Sequence, residues 1–371
     1  MGEETARGED RKGSGSVAQT TGPDISKPCG LRPHDPDPES IIGLFRSKIK
    51  RLIMTCTKCN HGTVKKFGKY GKEKIQRYRC NNCSKTFTQP RSKPIGNHYT
   101  DIDIAAQVVT LMMEGMSIRA ISRITGLHKS TVLSLILTIG DNCHRVFDIK
   151  MRGVRPRFVE ADELHGFVHT KQQNLSTGDP DEWGSSFLWI AIDSESKAVL
   201  SYHVGKRHSE DAREFMGDLS SRVERPFQLT TDAFPGYLPV VEEFFGADIS
   251  YAQLIKVYGQ LESAGPGWYG PAKVISTIQT RLRGRPDVNR ISTSIVERFN
   301  LSVRTCLRRY TRLSLGFSKS MKHLKAAVSI FMAWHNLCRI HGSLRVTPMM
   351  EAKIENHVWS VRELIMGATQ I

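Results

Sequence analysis

From Asp101 onward, apolar residues recur every three to four positions: Ile104, Val108 and Met112 fall on one face until Gly115. That period predicts a helix. Ser117 is placed to cap a second helix carrying Ile118, Ile121 and Ile124, which Thr125-Gly126 ends, and a third begins near His128 with Val132, Leu135 and Ile136 inward. Past Arg157 the period drops to two. In FVEADEL, alternation sets Phe158, Glu160 and Asp162 on one face and Val159, Ala161 and Glu163 on the other. FLWIAID and KAVLSYHV, joined through Ser194 to Ser196, predict a hairpin. Ser209 then caps a helix with Glu210 and Asp211 in its first turn, and PFQLTTD is a further strand ending at Asp232, where Pro235-Gly236 stops it. Residues 253–290, rich in Gly, Pro and basic side chains, predict an irregular insertion. Ser294 followed three residues later by Glu297 reads as a capping box, so a helix starts there, with Glu297, Asn300, Arg304 and Arg308 along one face. A last long helix, about Ser318 to Leu337, carries an apolar stripe that belongs to the core. Strands with an intervening helix, followed by more helices, make a mixed α/β domain.

Composition adds one strong bias. The 371 residues carry a net charge of +16, and the pI is near 9.6. Such an excess favours a polyanionic partner, and because no apolar run is long enough to span a bilayer, nucleic acid is preferred over a membrane surface. Two short helices across a glycine turn fit a helix-turn-helix over residues 99–150. Its second helix presents His128, Lys129, Ser130 and Thr131 to a DNA groove, with Arg119 on the helix before it. A plain helical bundle would give the same periodicity.

Of the eight cysteines, Cys29, Cys143, Cys306 and Cys338 are scattered, while Cys56-x2-Cys59 and Cys80-x2-Cys83 form two close pairs twenty residues apart. Two such knuckles place four thiolates around one tetrahedral ion, and zinc is the metal such a set selects. With all four positions filled by cysteine, the ion is structural, giving a zinc ribbon over 54–98. Between the knuckles lie Lys65, Lys66, Lys69, Lys72, Lys74, Arg77 and Arg79, with Glu73 the only acid. A run so one-sided suits phosphate contacts. Residues 1–53 are expected to be disordered or a spurious extension ahead of Met54, and Ile41 to Met54 is a short basic amphipathic stretch without an assigned role.

Asp162 on a strand, Asp232 at a strand end and Glu297 on a helix can converge at one edge of the sheet. Carboxylates brought together repel unless cations sit between them, and magnesium prefers oxygen ligands. Two such ions activate a water or sugar hydroxyl and stabilise the leaving oxygen in attack on a phosphodiester. Arg298, Arg304, Arg308, Arg309 and Arg312 are then available to the DNA backbone.

The order RYRCNNCSKTFT, helix-turn-helix, ADEL, TTDAFPGY, STSIVERFNLSVR, FSK and HGSLRVTPMMEA resembles the insertion-sequence-one family of bacterial transposases from about Met54 to the C-terminus. That resemblance implies a DDE recombinase with a ribonuclease-H-like catalytic domain (155–345) and a C-terminal helical tail (346–371), acting with magnesium on the ends of its own mobile element. It further implies Asp162, Asp232 and Glu297 as catalytic acids, Asn300 and Arg304 in support, double-stranded DNA (element ends and target) as partner, a homo-oligomer on DNA, and a cytoplasmic, nucleoid-associated location. Many relatives carry an aromatic where this chain has His165, and Glu163 is a rival to Asp162. Two other classes remain. A transcriptional regulator would use the ribbon and helix-turn-helix alone. A tyrosine recombinase is hinted at by His341-x-x-x-Arg345, but no tyrosine follows Tyr310.

Overall fold

Residues 55–71, 74–88, 94–259 and 274–367 are described by the structure, a computed structural model. The stretch 1–53, the basic segment Ile41 to Met54, and Lys72 and Glu73 of the basic run lie outside the described residues. The chain forms two units, divided between Pro90 and Arg91.

In the first unit, strands β1 (Val64–Tyr70), β2 (Ile75–Cys80) and β3 (Thr86–Thr88) pair antiparallel in the order β1-β2-β3. Its apolar centre is small: Cys56, Cys80 and Phe87, with Val64, Tyr78 and Cys83 against them. Gly71 takes the left-handed conformation needed in the β1–β2 turn (φ 71°).

The second unit opens with three helices, α1 (Ile102–Met113), α2 (Ile118–Thr125) and α3 (Lys129–Lys150). Ser117 caps α2 by accepting the Ala120 N–H at 3.2 Å, and Gly126 ends that helix at φ 72°. Val132, Leu135 and Ile136 of α3 are fully buried, as the period requires. A six-stranded mixed sheet follows, built from β4 (Phe158–Val168), β5 (Gly184–Asp193), β6 (Val199–Gly205), β7 (Gln228–Thr231), β8 (Ser250–Tyr258) and β9 (Val274–Arg283) in the order β6-β5-β4-β7-β8-β9. β4, β5 and β6 form an antiparallel meander, β7 and β8 run parallel to β4, and β9 returns antiparallel. This mixed α/β arrangement is compatible with a ribonuclease-H-like domain. Helices α4 (Ser209–Arg222) and α5 (Tyr237–Phe245) make the parallel crossovers; α6 (Ser294–Cys306) and α7 (Met321–Leu337) follow the sheet in sequence.

α7 joins the helical and sheet layers. Its Asn336 amide accepts from Val199 N–H and donates to Val199 C=O, both at 2.9 Å, which ties the helix to β6. On its other side Gly140 of α3 lies so close that a Cβ there would stand 2.6 Å from Ala326. One apolar core therefore runs from α1–α3 into the sheet. The short helices α8 (Pro348–Glu351) and α9 (Val361–Gly367) contribute Met349, Leu364 and Ile365 to it, and Arg362 reaches back to Asp103 of α1.

Several expectations are corrected. The segment expected to be an irregular insertion over 253–290 contains most of β8 and all of β9; its Gly- and Pro-rich part, 261–273, lies outside the described residues. A signal was there in Val274-Ile275-Ser276-Thr277-Ile278, dense in β-branched residues. The capping box is not made: Thr293, not Ser294, is the cap residue of α6, and Glu297 instead receives the Thr293 hydroxyl at 2.6 Å. Ser209 is the first helical residue of α4, with His208 at its cap, and the last long helix starts at Met321 and not Ser318. Finally α6 ends at Cys306, so Arg308 lies beyond it in a short turn and not on the face shared by Glu297, Asn300 and Arg304.

A candidate acidic active site

β7 stops after four residues while its parallel neighbour β4 continues. Glu160 stands opposite Thr230, so two residues further on Asp162 is level with Asp232, the first residue past the end of β7. A crevice at the carboxyl end of parallel strands is where such sheets place their ligands. Oxygens of Asp162, Glu163 and Asp232 lie within 4.8 Å of one another. Glu163 therefore joins Asp162 in the cluster rather than replacing it.

Helix α6 is aligned to this edge by β4 itself. Glu160 Oε2 accepts the N–H groups of Ile295 and Val296 at 2.8 and 3.0 Å, and Glu160 Oε1 accepts the Ser194 hydroxyl at 3.2 Å. A buried strand carboxylate thus caps the helix, an arrangement favoured by the orphan donors and dipole at a helix N-terminus. Two strand residues later, Asp162 Oδ2 accepts the Asn300 amide N–H at 2.7 Å. The spacing is consistent: two strand residues rise about 6.6 Å, and the four to five helix residues from the capped turn to Asn300 rise about 6–7.5 Å. Alanine at Glu160 leaves both N–H groups buried without a partner, and we expect a loss of about 2 kcal/mol in denaturant melts of the full chain. An unchanged melting midpoint would show that solvent replaces the carboxylate.

Glu297, half-exposed on α6, lines the same cleft of about 490 Å³ as Asp162 and Asp232 but stands outside the three-acid cluster. Two cations occupy the acids. Arg207 places Nη2 3.0 Å from Glu163 and 3.2 Å from Asp232, with its guanidinium 4.5 Å over the Phe234 ring, and Lys256 of β8 pairs with Glu297. Burial, together with the charges of Asp232 and Glu297 and against the Glu163 backbone N–H, pushes Asp162 up to about 6. Burial likewise pushes Glu163 up to about 7, with Asp232 adding to it and Tyr237 and Arg207 opposing. Crowded, half-buried carboxylates whose oxygens lie within 4.8 Å of one another suit a hard divalent cation, so this acidic cluster can hold one.

Glu160, Arg207, Lys256 and Tyr237 were not singled out from sequence as site residues. For Glu160 a signal existed, since it shares the Asp162 face of β4; a basic residue near a strand end carries none.

Other candidate residues fall elsewhere. Arg119 is exposed in the first turn of α2; His128, Lys129 and Ser130 are exposed at the start of α3 and Thr131 is half-buried, with His128 Nδ1 accepting the Ser130 N–H at 3.3 Å as a cap. Arg304 is half-buried and donates to the Tyr310 carbonyl at 3.2 Å, and Arg308 is exposed. In the first unit the Cys56–Cys83 and Cys59–Cys80 sulfurs are 3.7 and 3.6 Å apart. Four thiolates at about 2.3 Å from one tetrahedral ion stand about 3.8 Å from each other, so this set can hold zinc. Among the described residues no helix is long and apolar enough to cross a membrane.

No family model matches the sequence, and no curated protein does. Among solved structures the chain is similar to a piggyBac transposase synaptic complex with hairpin DNA, at 11% identity and a TM-score of 0.32, over 75% of this chain and 72% of that one.

Proposed function

We propose that this chain is a DNA transposase of the DDE type, cutting and rejoining DNA strands at a divalent-metal centre held by Asp162, Asp232 and Glu297, with Glu163 beside them. The observation that carries the reading is the meeting of Asp162, Glu163 and Asp232 oxygens within 4.8 Å at a sheet edge also lined by Glu297, in a chain of charge +16. The ribonuclease-H-like reading of the sheet agrees with it: the strand order puts the longest strand at the centre with a short parallel neighbour ending beside its acid.

When bound, magnesium supplies an activated water or sugar hydroxyl and neutralises charge on the attacking and leaving oxygens. The chain does the rest. Asn300 fixes Asp162 through one oxygen, leaving the other for the metal. Glu160 anchors the first turn of α6 and with it Glu297. Lys256 and Arg207, once released from their acids, stand on the cleft wall as phosphate ligands. Four cysteines hold zinc and stiffen the basic ribbon, and the start of α3 takes duplex DNA. Incubating the full chain with a labelled element end tests this: nicking in magnesium and none in EDTA is expected, while equal products in both sink the metal centre.

One observation favours a second reading. Glu163, Asp232 and Glu297 already have cationic partners, as they would in a DNA-binding regulator whose acids are structural. Thermal melts separate the two. The folded-state pKa values of Asp162 and Glu163 lie above their ordinary values. These two groups therefore contribute stability at acid pH that is lost as pH rises through about 6 to 7. Saturating magnesium should restore a few degrees of melting temperature at pH 7.5, less at pH 5, and none in Asp162→Asn. A wild-type protein indifferent to magnesium at pH 7.5 favours the regulator.

A further inference from the structure

A cleft of about 950 Å³ in the second unit is separate from the one lined by Asp162, Asp232 and Glu297. Among the described residues its wall carries Lys171, Arg304, Arg309 and Arg312 and no carboxylate. Among the described residues Lys171, Arg309 and Arg312 make no ion pair. Phe167 and Phe317 lie against each other at the cleft with ring centroids 4.7 Å apart and planes inclined by 33°, and Lys319 Nζ stands 4.0 Å from the Phe317 centroid. At its rim Leu313 and Leu315 are 88% and 94% exposed. The Tyr310 hydroxyl is buried without a partner. Cations without counter-ions, flat rings and exposed apolar side chains together match a ligand with phosphates and bases. The volume is at the upper end for ligand pockets, about 300–1,000 Å³, and suits unpaired nucleotides.

Placement on the fold gives the direction of the strand. His165 and Phe167 follow Asp162 by three and five residues on β4, about 10–17 Å along it. Arg304 follows Glu297 by two helical turns on the same face of α6, with Asn300 between. We propose that this cleft binds an unpaired stretch of the DNA strand leading away from the acids, stacking bases on Phe167 and Phe317 and holding phosphates with Arg309 and Arg312. The identity of that strand as the one being cut rests on the transposase reading above; the binding of single-stranded nucleic acid does not.

The probe is an oligonucleotide duplex with an unpaired overhang bearing 2-aminopurine, titrated with full-length protein in EDTA, beside the blunt duplex. Quenching of the overhang fluorophore is expected, with binding about tenfold or more weaker for Phe317→Ala and a salt slope lowered by about 1 for the exposed Arg312→Ala. Blunt-duplex affinity should be unchanged in both cleft variants, which also reports that they fold. Overhang and blunt duplex binding alike without quenching, or quenching that neither substitution alters, overturns the proposal. Wild-type protein that quenches the overhang yet never nicks DNA in magnesium supports the cleft and fails the acid centre.

Discussion

Asp232→Asn is expected to lower magnesium-dependent strand cleavage by about a thousandfold or more while leaving DNA binding unchanged. The substitution keeps shape and one acceptor oxygen, so the Phe234 N–H that now donates to Asp232 Oδ1 at 2.9 Å retains a partner. It removes one negative charge from a cluster whose oxygens lie within 4.8 Å. A divalent ion held by fewer anions binds more weakly and stabilises transition-state charge less, and a loss of several kcal/mol corresponds to that factor in rate. Arg207 still pairs with Glu163, so the cleft should not open. Rates of single-turnover nicking at saturating protein are the measurement. Equal rates for variant and wild type would falsify the role given to Asp232.

Stripping zinc, or substituting Cys56→Ser, is expected to unfold residues 55–88 and leave 94–367 folded. Among the described residues the first unit has an apolar centre of three buried residues, two of them cysteines, too little to offset the entropy of ordering the chain. Structural zinc contributes about 10–16 kcal/mol to such small units, enough to decide whether they fold. The second unit has its own extended core and should melt as before. Metal analysis should give one zinc per chain in wild type and none in Cys56→Ser, with rapid proteolysis between 55 and 88 only. Wild-type protein without zinc, or a variant that keeps both zinc and protease resistance, would refute the ribbon.

Legibility in the sequence followed the range of the physics. α1, α2 and the start of α3 could be read because helix period, an Ser117 cap and a left-handed Gly126 are set by neighbours along the chain. The β5–β6 hairpin and the face shared by Glu160 and Asp162 were legible for the same reason. β9 was missed because Gly and Pro nearby outweighed its β-branched run, and because as an edge strand it is mostly exposed, without the alternation that marks a buried face. The capping box was misread at Ser294: the spacing was present, but Glu160, more than a hundred residues away, had taken the helix donors.

By itself the sequence determined most of the helices, the central strands, the four-cysteine set and which acids were candidates, because spacing along a strand or helix fixes which side chains share a face. Only the tertiary structure decided that Glu163 stands with Asp162 and Asp232, that Glu297 is held by Lys256, and that Arg207 bridges two acids. Those outcomes depend on β7 ending where β4 continues and on how far each side chain must reach across that step, a distance between chain segments that no local pattern encodes.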